Sequence, residues 1–476
     1  MASPSMPVPR EWPPEVAEVY TPIRVLGNGG FASVILAREK DDSKSFVAMK
    51  LVGKNKDKTR QQQLTYAHRE IDILQQLSHP NIMEVIRCWD VPDQQEQAAS
   101  HPSTDTVCVM ALKYYKGPTV ESLLQYGGAL SNQFGRVVIA QVMDAIAYLH
   151  YRAVIHRDIK PDNIIVTGAF SKDGEIWDNP EDITSEEGEK PSKDADGTAP
   201  NWEELRKRWK VTLVDFGFAR ALEPSDVKQP SPEIRRESLN ASYHARDIDL
   251  DRSRGKLDGS IRGSIRGRYR QRRQDNSDPL NKSQSHMLMR QMSALGNRNF
   301  AAPEIINKVQ HDRKGRSTNK NDNAPGEITT TISEYVSDYG LMVDSYSLGF
   351  TIRYMMTGVP PYLTVSEAIA EQNSICNKLC GGNKNTTKRS VRYRTLEQLP
   401  NEVQWLIEDL TERSESDRVS VRTARRRCEW VAEVFDSAEQ SEEQLAPLSK
   451  IDYLPLVLKE ENQKKDEAAE ENEKKQ

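Results

Sequence analysis

The stretch His156-Arg157-Asp158-Ile159-Lys160-Pro161-Asp162-Asn163 constrains this chain more than any other. Eight residues place an acid, a lysine and an asparagine close enough to serve one phosphate-transfer site. Asp158 can accept the proton of an incoming hydroxyl, Lys160 can neutralise charge on a moving phosphoryl group, and Asn163 can hold a divalent metal. A single match of this kind can arise by chance in a loop. The order of the parts around it decides the matter.

Upstream, Gly27-Asn28-Gly29-Gly30-Phe31-Ala32-Ser33-Val34 lies between the apolar runs Ile23 to Leu26 and Val34 to Ala37 and reads as strand, turn, strand. Glycines there let backbone amides approach phosphate oxygens without a Cβ in the way. Taken alone, such a turn reads as an ordinary hairpin. Val47-Ala48-Met49-Lys50 follows as a strand, with Lys50 lying 23 positions after Gly27. Beyond it, Ile71, Leu74 and Leu77 share one helical face. Glu70, next to Ile71, is placed to point inward towards Lys50, and the proline of His79-Pro80-Asn81-Ile82 ends the helix. After the central stretch, Val211-Thr212-Leu213-Val214 reads as a strand that delivers Asp215, ahead of Phe216-Gly217. Gly296-Asn297-Arg298-Asn299-Phe300-Ala301-Ala302-Pro303-Glu304, Asp344-Ser345-Tyr346-Ser347-Leu348-Gly349 and Ser416-Asp417-Arg418-Val419 complete the series.

In this order the parts resemble the eukaryotic protein kinase family, and the lysine two residues after Asp158 resembles its serine/threonine branch. The resemblance covers roughly residues 20–435. It implies an α+β, bilobal fold, with a small β-rich N-lobe at 20–111, a larger helical C-lobe at 112–435, and ATP in the cleft between them. The residues matching the family's ATP site are Gly27, Asn28, Gly29, Gly30, Val34, Ala48, Lys50, Glu70 and Met110. The hinge would follow from Ala111 to Tyr115. Glu70 would fix Lys50 on the α- and β-phosphates, while Asn163 and Asp215 would bind Mg2+. Asp158 and Lys160 would be catalytic. Asp344 would support the catalytic loop from below, and Arg418 would pair with Glu304. Arg157 would leave a positive charge that a phosphate on the activation segment neutralises, and Ser293, three residues before Gly296, is the candidate carrier. Three positions depart from the family pattern: Ala32 replaces the third glycine, Ala111 a common hinge acid, and Asn297 the usual threonine.

Length would allow about three domains, but composition argues against filling them. Only 37% of the 476 residues are apolar, and mean hydropathy is −0.71. One kinase domain with polar insertions fits better, between an N-terminal polar extension at 1–19 and a charged tail at 436–476. Asn163 and Asp215 are separated by 51 residues. Within that interval, Lys172 to Asp196 carries ten acidic residues against three lysines and should stay disordered. Trp202 to Trp209 reads as a short amphipathic helix re-entering the fold. The three insertions fall at about 168–208, 225–290 and 308–330. In the second, Arg252 to Arg273 holds nine basic residues and one acid.

No apolar run approaches the ~20 residues of a bilayer span. Met1 to Pro14 lacks a signal core, and Met1-Ala2 is not a myristoylation start. Cys376 and Cys380 lie one helical turn apart but have no second pair or nearby histidine, so zinc is not expected. Scattered cysteines suit a cytoplasmic or nuclear protein. The expected partners are a protein substrate presenting Ser or Thr, and either an upstream kinase or a second copy acting by autophosphorylation. Two other readings compete. A non-catalytic scaffold would draw on Ala32, Ala111 and Asn297. A nucleic-acid binder would use the arginine-rich run Arg252 to Arg273, which lacks interleaved aromatics apart from Tyr269, a poor basis for base stacking.

Overall fold

The computed structural model describes residues 13–28, 32–42, 44–53, 60–91, 106–168, 200–222, 299–303, 340–370, 392–435, 446–448 and 450–454. The insertions at 225–290 and 308–330, the acidic run 172–196, Cys376 and Cys380 lie outside them.

The chain opens with a one-and-a-half-turn helix, α1 (Pro14–Val19), then three antiparallel strands, β1 (Tyr20–Asn28), β2 (Ala32–Glu39) and β3 (Phe46–Gly53). Helix α2 (Arg60–Gln75) and strands β4 (Val85–Asp90) and β5 (Thr106–Lys113) complete a five-stranded sheet of order β1-β2-β3-β5-β4. Helix α2 stops at Gln75, ahead of Pro80.

The period-2 alternation of these strands gives the sheet two apolar faces. Ile35, Val47, Met49, Leu51, Val109 and Ala111 form one cluster, with Val16 of α1 and Tyr20 packed on them. Cys108, Met110 and Leu112 face the other way, onto α2 and the lower lobe. Residues 14–19 therefore belong to the folded N-lobe, unlike the polar extension expected for 1–19. Val16 is fully buried on the outer face of the sheet.

The lower lobe is built around α4 (Asn132–Tyr151), preceded by the short α3 (Val120–Gly127). Apolar residues occupy α4 on nearly every side, as expected of a helix enclosed by others. Ser131 caps it, its side chain accepting from the Phe134 N–H. Next come β6 (Val154–Ile155) and β7 (Ile164–Gly168), helix α5 (Trp202–Arg208), then β8 (Trp209–Leu213) and β9 (Arg220–Ala221). Strand β7 pairs with β8, and β6 with β9. Helices α6 (Met342–Thr357), α7 (Asn401–Thr411), α8 (Val421–Arg427) and α9 (Glu429–Ala432) follow.

The α5 helix lies where the tryptophan spacing placed it. Arg136 of α4 stands over the Trp202 ring at 4.4 Å and the Trp430 ring at 5.5 Å, and Trp209 meets Phe134 edge-on at 5.0 Å. The end of the first insertion is thus stitched into the lobe. Among the described residues, no helix is long and apolar enough to cross a membrane.

Candidate active site

Antiparallel pairing lines up the residues of the upper wall. Gly27 of β1 sits opposite Val34 of β2, Val34 opposite Lys50 of β3, and Lys50 opposite Met110 of β5. Residues directly opposite in such a ladder project to the same face. Ala48, two positions before Lys50, shares that face. Glycine, valine, lysine, alanine and methionine thus form one surface, facing the lower lobe. Asn28 pairs with Ser33 across the β1–β2 turn, and their side chains are hydrogen-bonded. Gly29 and Gly30 lie outside the described residues.

Lys50 is the electrostatic centre of this wall. Its Nζ donates to Glu70 Oε1 at 2.7 Å and Oε2 at 2.8 Å, and to Asp215 Oδ1 at 3.1 Å. Burial alone would depress the ammonium, but the two carboxylates outweigh it and raise its pKa, so it stays charged. Lys50 in turn pulls Asp215 down to about 2, against the opposite pull of burial. The Glu70 and Lys50 side chains are only 5% and 11% exposed, whereas that of Asp215 is 44% exposed. The carboxylate open to a ligand is therefore Asp215. Gly217 keeps the cluster tight: a Cβ there would meet Asp215 Oδ1 and Lys50 Nζ, each at 3.3 Å.

Below, the catalytic-loop residues converge on one oxygen. Asp158 Oδ2 accepts from Lys160 Nζ at 2.6 Å and from Asn163 Nδ2 at 2.9 Å. Asn163 Nδ2 also reaches the Asp158 carbonyl at 2.8 Å. Burial raises the Asp158 pKa, with Lys160 opposing it. The Val214 N–H donates to the Asn163 carbonyl at 2.9 Å, tying the strand that carries Asp215 to this loop.

A divalent cation fits the donor set. Among the described residues, nothing is hydrogen-bonded to Asp215 Oδ2 or to Asn163 Oδ1. A carboxylate and an amide carbonyl are hard oxygen ligands of the kind Mg2+ takes.

The loop hangs from Asp344. Its Oδ2 accepts from the His156 N–H at 2.8 Å and lies 3.1 Å from His150 Nε2, and its Oδ1 accepts from the Arg157 N–H at 2.8 Å. These bonds hold Arg157 at φ 66, a left-handed conformation that costs a non-glycine residue ~1–3 kcal/mol. Asp215 sits at φ 64. The Arg157 side chain donates to the Phe218 carbonyl at 2.5 Å. Burial, and then the charge of Arg220, bring its pKa down to about 10, with Arg69 adding to the repulsion.

Arg418 donates to the carbonyls of Glu412 and Met342, both near the N-terminal end of α6 or the turn after α7, and stacks over Tyr346 at 4.9 Å. Its expected partner Glu304 lies outside the described residues, as do Ser293 and Asn297. Ala111 sits on the outer face of the sheet with Met49, and β5 runs on to Lys113, so the first three residues of the expected hinge are strand. Sequence reasoning left His150, Gly217, Arg69 and Arg220 without a role. Only Gly217 carried a signal, its place directly after Asp215-Phe216.

Residues 20–235 match the protein kinase domain family. Among curated relatives, the serine/threonine-protein kinase cds1 of Schizosaccharomyces pombe is 30% identical over 154 residues, 32% of this chain and 30% of that protein. Serine/threonine-protein kinase 33 of Bos taurus is 28% identical over 153 residues, 32% of this chain and 28% of the relative. CBL-interacting protein kinase 21 of Oryza sativa subsp. japonica is 33% identical over 160 residues, 33% of this chain and 27% of the relative. The matched stretch thus spans less than a third of each relative. Five-stranded sheet, helical lower lobe and family match agree on a protein kinase domain over residues 20–235.

Proposed function

We propose that this chain transfers the γ-phosphoryl group of ATP to a serine or threonine hydroxyl of a protein substrate. The observation that carries the reading is the pair of facing clusters: Lys50 held between Glu70 and Asp215, and Asp158 Oδ2 held between Lys160 and Asn163. In the transfer, a bond forms between the substrate oxygen and the γ-phosphorus while the bond from that phosphorus to the β-bridging oxygen breaks. The hydroxyl proton goes to Asp158. Lys50 orients the α- and β-phosphates, and Lys160 neutralises charge on the moving group. Asp215 and Asn163 would hold Mg2+, which supplies charge neutralisation along the phosphates when bound. Ala111 does not argue for a dead scaffold, since its side chain points away from the cleft.

Purified full-length chain, given ATP, Mg2+ and a generic basic protein, should incorporate radiolabel. Lys50→Met should lower turnover ~10²-fold or more, by analogy with loss of one charge-stabilising donor. Equal labelling by parent and variant would mean that another kinase in the preparation does the work.

The same reading extends to regulation. Arg157, beside Arg220 and Arg69, concentrates positive charge where a phosphate on the activation segment would be favoured. Ser293, preceded by Arg290, is the proposed carrier. Mass spectrometry of active protein should find the phosphate there, and Ser293→Ala should slow turnover. Full activity in that variant removes the switch.

A further inference from the structure

The expected tail after residue 435 is not all tail. Residues 446–448 and 450–454 lie against the lower lobe as a turn, closed by the Lys450 N–H donating to the Pro447 carbonyl at 2.9 Å, followed by an irregular stretch. Arg422 of α8 donates to three of its carbonyls: Pro447 at 3.0 Å, Leu448 at 2.8 Å and Lys450 at 2.8 Å. Arg426 takes the carbonyl of Ala446, and Arg152 pairs with Asp452. The Asp452 N–H donates to the Tyr151 carbonyl at 2.8 Å. Leu454 is fully buried in the main core.

The apolar side chains of this segment reach a particular place. Ile451 and Tyr453 pack on a small cluster of Ala153, Ile155 and Leu222. Ile155 ends β6, directly before His156 and Arg157 of the catalytic loop. Leu222 follows β9, and its N–H donates to the Ala153 carbonyl at 2.7 Å. One cluster therefore joins the strand leading into the catalytic loop, the strand leading out of the metal-binding turn, and the chain's own far end.

Arg422 shows that the contact is built in. Its side chain stacks over Tyr151 at 5.5 Å, the residue is only 8% exposed, and among the described residues its hydrogen bonds go to this segment alone. Without the segment, a buried guanidinium would lose the carbonyls that satisfy it, an arrangement that is costly wherever it occurs. Segment and arginine require each other.

We propose that residues 446–448 and 450–454 form a positioning strap, a peptide ligand carried in cis, whose seating on Arg422 and on the Ala153–Ile155–Leu222 cluster holds β6 against β9 and thereby sets the catalytic loop. The effect on turnover rests on the kinase reading above; the effect on β6 and β9 does not.

The test compares the full-length chain with Ile451→Ala/Tyr453→Ala, Arg422→Ala and a chain ending at residue 445. Two readouts are taken: amide exchange at residues 153–157 and 220–222, and steady-state kinetics with ATP and a basic protein. Local exchange should rise about tenfold and kcat should fall about tenfold, the scale of coupling through a packed network, with KM for ATP unchanged. A synthetic peptide of residues 444–456, added to the truncated chain, should restore both. Parent-like exchange at these amides in the double variant overturns the strap. So does a fall in stability spread evenly over the lower lobe that the peptide does not reverse. If the parent chain transfers no phosphate while the exchange changes as expected, the kinase reading fails and the strap stands.

Discussion

Asp158→Asn is expected to lower turnover by about 10²–10⁴-fold, the usual contribution of a positioned general base, while leaving KM for ATP unchanged. The substitution keeps the shape of the side chain and one oxygen for Lys160 and Asn163. It removes the only feature the reaction needs from this residue, a basic carboxylate. Burial holds the Asp158 pKa above the ordinary carboxylate range, so protonation disables the base at a higher pH than it would an exposed aspartate. The parent's kcat/KM should therefore fall on the acid side through that raised value, and the limb should vanish in the variant. A variant that turns over as fast as the parent, or keeps the same acid limb, would assign the proton to another group.

What could be read in advance divides by length of signal. The sites on β1–β3, α2 and the catalytic loop were legible because residue type and spacing carry chemistry that few alternatives share. The rung that aligns Gly27, Val34, Lys50 and Met110 was only half legible. Strand pairing sets it, and register between β3 and β5 spans some sixty positions of chain that no local pattern fixes. The α1 helix was missed because six residues offer no helical period, and a single buried valine in a polar, proline-rich stretch looks like noise. The strap was missed for a related reason. An irregular segment held by backbone carbonyls shows nothing of that role in its side chains, and Arg422 looks like one more member of a basic run. Ala111 misled in the opposite direction. Its departure from the family pattern suggested a damaged hinge, but strand alternation turns its side chain out of the cleft.

The largest effect on stability is expected at Asp344, far from any phosphate. It is fully buried and accepts from His150, from the His156 N–H and from the Arg157 N–H, which together fix the start of the catalytic loop. Asp344→Ala strands all three donors in the core, and breaking a buried, hydrogen-bonded charge in this way costs about 3–5 kcal/mol. For a domain of this size the thermal midpoint should drop on the order of 10 °C. Arg157, no longer held at φ 66, should relax towards the ordinary backbone basins, so turnover should fall even where the variant is folded. The sign with pH follows from the direction of the shift. Burial would raise the Asp344 carboxyl, but His150 and His156 outweigh it and hold the folded pKa below the ordinary value of 3.8. Its contribution is present in full above that unfolded value and is lost as pH falls through the lower, folded one. Parent and variant should thus differ most in denaturant midpoint near neutrality and converge in acid below about pH 4. A gap that stays constant into strong acid would mean that Asp344 acts by packing alone, and the loop would then need another anchor.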